Sequence, residues 1–106
     1  MSLDVYLENR KGIVFSSNIT HNLINMADEA GIYRYLWRPE ELGVVKAKGL
    51  IQPLYDGLVS LREKPDYYRQ FNSPNGWGKY EDFLTFVDDY LLACKQNPNA
   101  KISTHR

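Results

Sequence analysis

Hydrophobic and polar residues alternate from residue 3 to residue 8, with Leu3, Val5 and Leu7 on one face and Asp4, Tyr6 and Glu8 on the other. A period of two is the signature of a half-buried strand. Asn9-Arg10-Lys11-Gly12 follows, and its glycine can take the left-handed position of a short hairpin turn. Alternation then resumes with Ile13, Phe15, Ser17 and Ile19 facing one way, which predicts an antiparallel hairpin with one apolar face. Near the other terminus Ala100, Ile102 and Thr104 repeat the same period, so a third strand is expected to join the sheet.

Between these strands the period changes to that of helices. Thr20 or Asn18 can cap a first helix carrying Leu23, Met26, Ala27 and Ala30, with Gly31 as its stop. Ile32 to Trp37 forms a short helical piece. Pro39 then pushes Arg38 out of helical geometry and opens another turn, which runs to Leu42 and is closed by Gly43. From Lys46 to Glu63 the residues Leu50, Ile51, Leu54, Leu58 and Leu61 make an apolar stripe. Pro53 interrupts it, with a kink or restart made cheap by Gly49 four residues earlier. Pro65 begins a short segment with Tyr67, Tyr68 and Phe71. The helix from Tyr80 to Asn97 is the clearest, with Tyr80, Phe83, Leu84, Val87, Leu91 and Cys94 on one side and Glu81, Asp82, Asp88, Asp89 and Lys95 on the other. Two strands, then helices, then one strand predict an α+β fold. Its small three-stranded antiparallel sheet is covered on one face by helices, in a single domain spanning residues 1–106.

Composition narrows the class. A chain of 106 residues can hide roughly two thirds of its unfolded surface in one core. Thirteen basic residues balance thirteen acidic ones, so no long-range field draws the whole molecule to nucleic acid, although a local basic patch stays open. The single cysteine, Cys94, cannot form an internal bridge, which fits a reducing compartment. No apolar run approaches the roughly 18 residues of a membrane span, and the first residues have no signal-peptide pattern. The expectation is a soluble cytoplasmic protein with no membrane partner.

Candidate chemistry concentrates in three places. Asn72-Ser73-Pro74-Asn75-Gly76-Trp77-Gly78 sets an indole between two glycines, and Leu36-Trp37-Arg38-Pro39 sets another beside a guanidinium. Tryptophan, tyrosine and arginine dominate binding hot spots and also stack on bases or sugars. Tryptophan is equally a core filler or loop anchor, and packing is the preferred reading of Trp77. The polar string Ser17-Asn18-Ile19-Thr20-His21-Asn22 lies at a strand-to-helix junction, where exposed amides can hold an anion and His21 can move a proton. The same string reads more simply as helix capping plus a surface histidine, and two histidines without a spaced thiol or carboxylate do not build a metal site. His105, beside Arg106, reads as a frayed end, unless the third strand brings it near His21. Cys94 falls at core spacing, where a thiol has a raised pKa and little nucleophilicity. Asp88 and Asp89 are adjacent in a helix and so diverge by about 100°, which disfavours a shared acid-base pair. No phosphate loop, dinucleotide fingerprint or nucleophile elbow occurs, and no cofactor or metal is implied.

Several of these strings also resemble a known family. Asn18-Ile19-Thr20-His21-Asn22-Leu23 with Met26-Ala27 and Ala30-Gly31-Ile32-Tyr33, then Leu36-Trp37-Arg38-Pro39-Glu40, and Asn75-Gly76-Trp77-Gly78 with Tyr80-Glu81 carry the likeness, together with Phe86-Val87, Tyr90-Leu91 and Ala93-Cys94. They are similar to a family of small uncharacterised proteins encoded by bacteriophages, prophages and bacteria. The resemblance implies a phage or bacterial origin and supplies no activity, cofactor or catalytic residue.

Two functions follow as expectations. The first is a non-enzymatic interaction or accessory protein that engages a protein partner through Trp37, Arg38 and the loop of Asn75, Gly76 and Trp77 with Tyr80. The second is a binder or modifier of a small polar or anionic, nucleotide-like ligand, using Asn18, Thr20, His21, Asn22 and Arg38 around the helix start. The unpaired edges of a three-stranded sheet leave a homodimer open.

Overall fold

The computed structural model describes residues 1–106. Strand β1 (Ser2–Asn9) and strand β2 (Gly12–Thr20) form the hairpin, and β3 (Lys101–His105) pairs with the other side of β1. The sheet is antiparallel throughout in the order β2-β1-β3. Leu3, Val5 and Leu7 are buried on its inner face, joined by Ile19 from β2 and Ile102 from β3. The outer face carries Asp4, Tyr6 and Glu8 opposite Asn18, Ser16 and Ile13.

Ile13 corrects the sequence reading. Pairing runs without a slip from Ser2↔Thr20 to Leu7↔Phe15 and then jumps to Glu8↔Ile13, so Val14 is an extra, bulged residue. One added residue reverses side-chain parity beyond it. Ile13 therefore shares the outer face with Glu8 and is 60% exposed, while Phe15, Ser17 and Ile19 keep the inward face.

A 3-10 turn (His21–Leu23) leads from β2 into helix α1 (Ile24–Glu29), followed by α2 (Tyr33–Trp37) and a second 3-10 turn (Pro39–Leu42). Thr20 is the cap of the first turn, its Oγ1 accepting from the Asn22 amide at 3.2 Å. Gly43 closes the second at φ 71°, a left-handed position that glycine adopts without strain. Helix α3 (Lys48–Glu63) passes Pro53 without breaking, then α4 (Pro65–Arg69) leads to the loop before α5 (Tyr80–Gln96).

Helix α5 packs against both β2 and α3. Its buried stripe is consequently wider than one helical face, adding Phe86, Tyr90 and Ala93 to the residues expected from periodicity. Phe15 stacks on Tyr90 at 5.7 Å, tying the strand to the helix. Twenty-six buried hydrophobic residues form one contiguous cluster. No helix is long and apolar enough to cross a membrane.

Candidate binding surface around the Trp77 loop

The loop before α5 is built from its own polar side chains. The Ser73 amide donates to the Gly78 carbonyl at 2.9 Å and the Gly76 amide returns to the Ser73 carbonyl at 3.1 Å. Asn75 Oδ1 accepts from the Trp77 amide at 2.9 Å and also from the Ser73 hydroxyl. Asn72 Oδ1 takes the Tyr80 amide at 2.7 Å, satisfying one of the free donors at the start of α5. Gly76 and Gly78 sit at φ 78° and 123°, values that the side chains of other residues rarely allow.

This loop is fastened to the strand-to-helix junction. Asn22 Nδ2 donates to the Trp77 carbonyl at 2.9 Å, and Gly78 is buried so closely that a Cβ there would lie 2.9 Å from Thr20 Cγ2 and 3.1 Å from Leu23 Cγ. The backbone of Trp77 is thus fixed on both sides while the residue is 74% exposed, which corrects the expectation that this indole is packed. A polar cleft of about 450 Å³ opens beside it, with His21, Asn22, Asn25, Phe71, Asn72 and Ser73 among its walls.

Trp37 behaves in the opposite way. Its indole is 1% exposed, stacks on Tyr33 at 5.6 Å, and donates from Nε1 to His21 Nδ1 at 2.8 Å. Since His21 accepts at Nδ1, its ring proton sits on Nε2, and the histidine serves as the polar partner of a core indole. Trp37 cannot meet a partner, so its place in the expected contact surface is corrected, whereas Arg38 stays partly exposed. Arg38 itself is committed to the Tyr33 hydroxyl at 3.2 Å and to Glu41 at 2.9 Å, the Tyr33 bond first and the Glu41 bond second holding its guanidinium protonated.

The remaining expected residues divide in the same manner. Thr20, Asn22, Asn75, Gly76 and Trp77 come together around the loop. Tyr80 is buried, donates its hydroxyl to the Leu61 carbonyl at 2.7 Å, and titrates above its ordinary range through desolvation. It anchors α5 to α3. Asn18 lies on the outer sheet face, where it lines a different hollow with Asp4, Tyr6 and Ser16. Neither Asn18 nor Arg38 lines the cleft that holds His21 and Asn22.

His105 packs edge-on against Tyr6 at 5.5 Å on the outer face. His105 is thus a paired strand residue, opposite Asp4, and not the frayed end expected from the sequence. Its neighbour Arg106 donates to the Trp37 carbonyl at 2.9 Å and pairs with Glu40. The Arg106 bond, followed by the Glu40 backbone amide, holds the Glu40 carboxyl below the usual carboxylate range. No sequence signal marked this contact, because it joins residues 69 positions apart. Elsewhere, no three His, Cys, Asp or Glu side chains gather as a metal site. Cys94 is buried and its thiol is pushed up to about 12 by desolvation.

Against this geometry, comparison with known proteins finds no matching family model, no matching curated protein and no matching solved structure.

Proposed function

We propose that this chain is a non-enzymatic interaction protein, an accessory factor of phage or bacterial origin, and that it grips a protein partner with Trp77. The observation that carries this reading is an indole 74% exposed on a loop whose backbone is hydrogen-bonded on both sides. A large apolar ring left in water costs free energy in the isolated protein and returns it on contact. A pinned loop loses little further entropy when it docks, which favours it as an anchor. Asn22 and the polar wall of the adjoining cleft supply the hydrogen-bonding rim that surrounds such an anchor.

The test is capture of partners by the immobilised chain from lysate of a bacterial host, comparing wild type with Trp77→Ala. A specific protein retained by wild type and by Trp37→Phe, then lost with Trp77→Ala, supports the reading. Retention by Trp77→Ala at wild-type strength removes it.

A further inference from the structure

The far end of the hairpin from Trp77 carries a second cleft. A cleft of about 530 Å³ opens between the hairpin turn, the end of α5 and the segment before α3. Asn9, Arg10, Lys46, Asn97 and Asn99 form its polar wall, and no carboxylate lines it. Two backbone bonds brace it, Ala47 N to Ala100 O at 2.9 Å and Lys48 N to Pro98 O at 2.8 Å. Asn97 is clipped to the Ala93 carbonyl at 3.0 Å, and Asn9 to the Lys11 amide at 2.8 Å.

Charge sets this corner apart. Every ion pair in the protein uses Arg34, Arg38, Arg62, Arg69 or Arg106. Arg10 is the one arginine outside them, and no lysine takes part. Lys46 and Lys101 stand directly opposite each other in an antiparallel bridge, an arrangement that costs free energy because like charges face across it. Lys11 follows Arg10 in the chain and Lys48 lies two residues beyond Lys46, although neither lines the cleft. The nearest carboxylate in register, Glu8, is opposite Lys101 on the outer sheet face and does not line the cleft. The negative end of α5 offsets about half a charge, short of the two cationic side chains, Arg10 and Lys46, that line the cleft.

We propose that this cleft binds a small molecule through a chain of phosphates, as in a nucleoside triphosphate. An oligophosphate neutralises Arg10 and Lys46 together and relieves the repulsion between Lys46 and Lys101. The amides of Asn9, Asn97 and Asn99 give neutral donors and acceptors for the rest of the ligand. None of these residues belongs to the Trp77 surface, so either proposal can fail without the other.

The experiment is an amide-resolved NMR titration of the full chain with ATP, inorganic triphosphate and adenosine, at low salt and at about 0.5 M salt. Saturable shifts centred on Asn9, Asn97 and Asn99 with both triphosphates, absent with adenosine and weakened by salt, are expected. ATP binding more tightly than triphosphate places the base in the cleft too; equal binding makes the phosphate chain the whole ligand. Arg10→Gln and Lys46→Gln should each weaken binding about tenfold, while Lys64→Gln, with the same change in net charge, leaves it unaltered. The proposal is overturned by absence of saturable shifts with either triphosphate, by equal loss in the Lys64→Gln control, or by an oligonucleotide binding where both triphosphates fail.

Discussion

Trp37 and Trp77 place the same side chain in opposite surroundings, and substitution should separate them cleanly. Trp37→Phe removes the bond to His21 and part of the stack on Tyr33, leaving His21 Nδ1 without its donor. A loss of about 1–3 kcal/mol in urea unfolding is expected. Trp77→Ala touches an exposed ring and should move stability by no more than about 0.5 kcal/mol. Acrylamide quenching provides the companion test: the red-shifted, readily quenched emission disappears with Trp77→Phe and the protected emission with Trp37→Phe. Tyr90 is a third informative residue, since its hydroxyl is buried without a hydrogen-bond partner. Tyr90→Phe deletes an unsatisfied polar group and keeps the ring stacked on Phe15, so it should be neutral or stabilise by about 1 kcal/mol in the same assay.

At the scale of elements, the loop before α5 acts as a clasp on the junction between β2 and α1. Gly78 is its closest point, with positive φ and with Thr20 and Leu23 too near to admit a methyl group. Gly78→Ala should therefore cost about 2 kcal/mol or more and shift the Asn22 side-chain amide signal. Gly76→Ala has no neighbour within 4 Å of the new atom and pays only for its φ of 78°, so it should cost less. Unequal losses in thermal unfolding check the distinction; equal ones would mean that the close approach is not what fixes the loop.

The same scale shows why some elements were legible in the sequence. Period-two patterning gave β1 and β3 because each is apolar on one face only, and the Thr20 cap and the Gly31 and Gly43 stops are local signals. Ile13 misled because a bulge leaves no mark in an apolar run such as Ile13-Val14-Phe15. Phe86, Tyr90 and Ala93 escaped because α5 is covered from two sides. Trp37, beside Arg38 and Pro39, read equally as contact anchor or core filler, and only the tertiary approach of His21 reveals it as core. The basic cleft could not be read at all, since Arg10, Lys46 and Asn97 come from three distant segments.

For the whole molecule, alkaline pH is the informative variable. Burial raises the folded-state pKa of Cys94 from 9.0 to about 12 and lifts Tyr90 above its ordinary 10.0. Groups raised on folding contribute stability that is complete below their unfolded values and is lost as pH rises toward the folded ones. Urea midpoints should hold steady to about pH 9 and decline beyond it, less steeply in a variant combining Cys94→Ala with Tyr90→Phe; a flat profile in the wild type refutes the assignment. The native thiol should likewise resist a disulfide reagent at pH 8 and react at once in denaturant, because little thiolate forms while the core is closed.

The bulge at Val14 bears on more than the orientation of Ile13. An extra residue bends its strand and tightens the local twist, and this one lies between the helix-covered part of the sheet and the tip that carries Arg10. It works as a wrist: the strand below is locked by Phe15 and Ile19, while the tip above is aimed by one residue with no partner of its own. Removing Val14 would turn the tip without disturbing a buried side chain. The reach of Arg10 toward Asn97 could then change through a single codon, while the core below kept its packing.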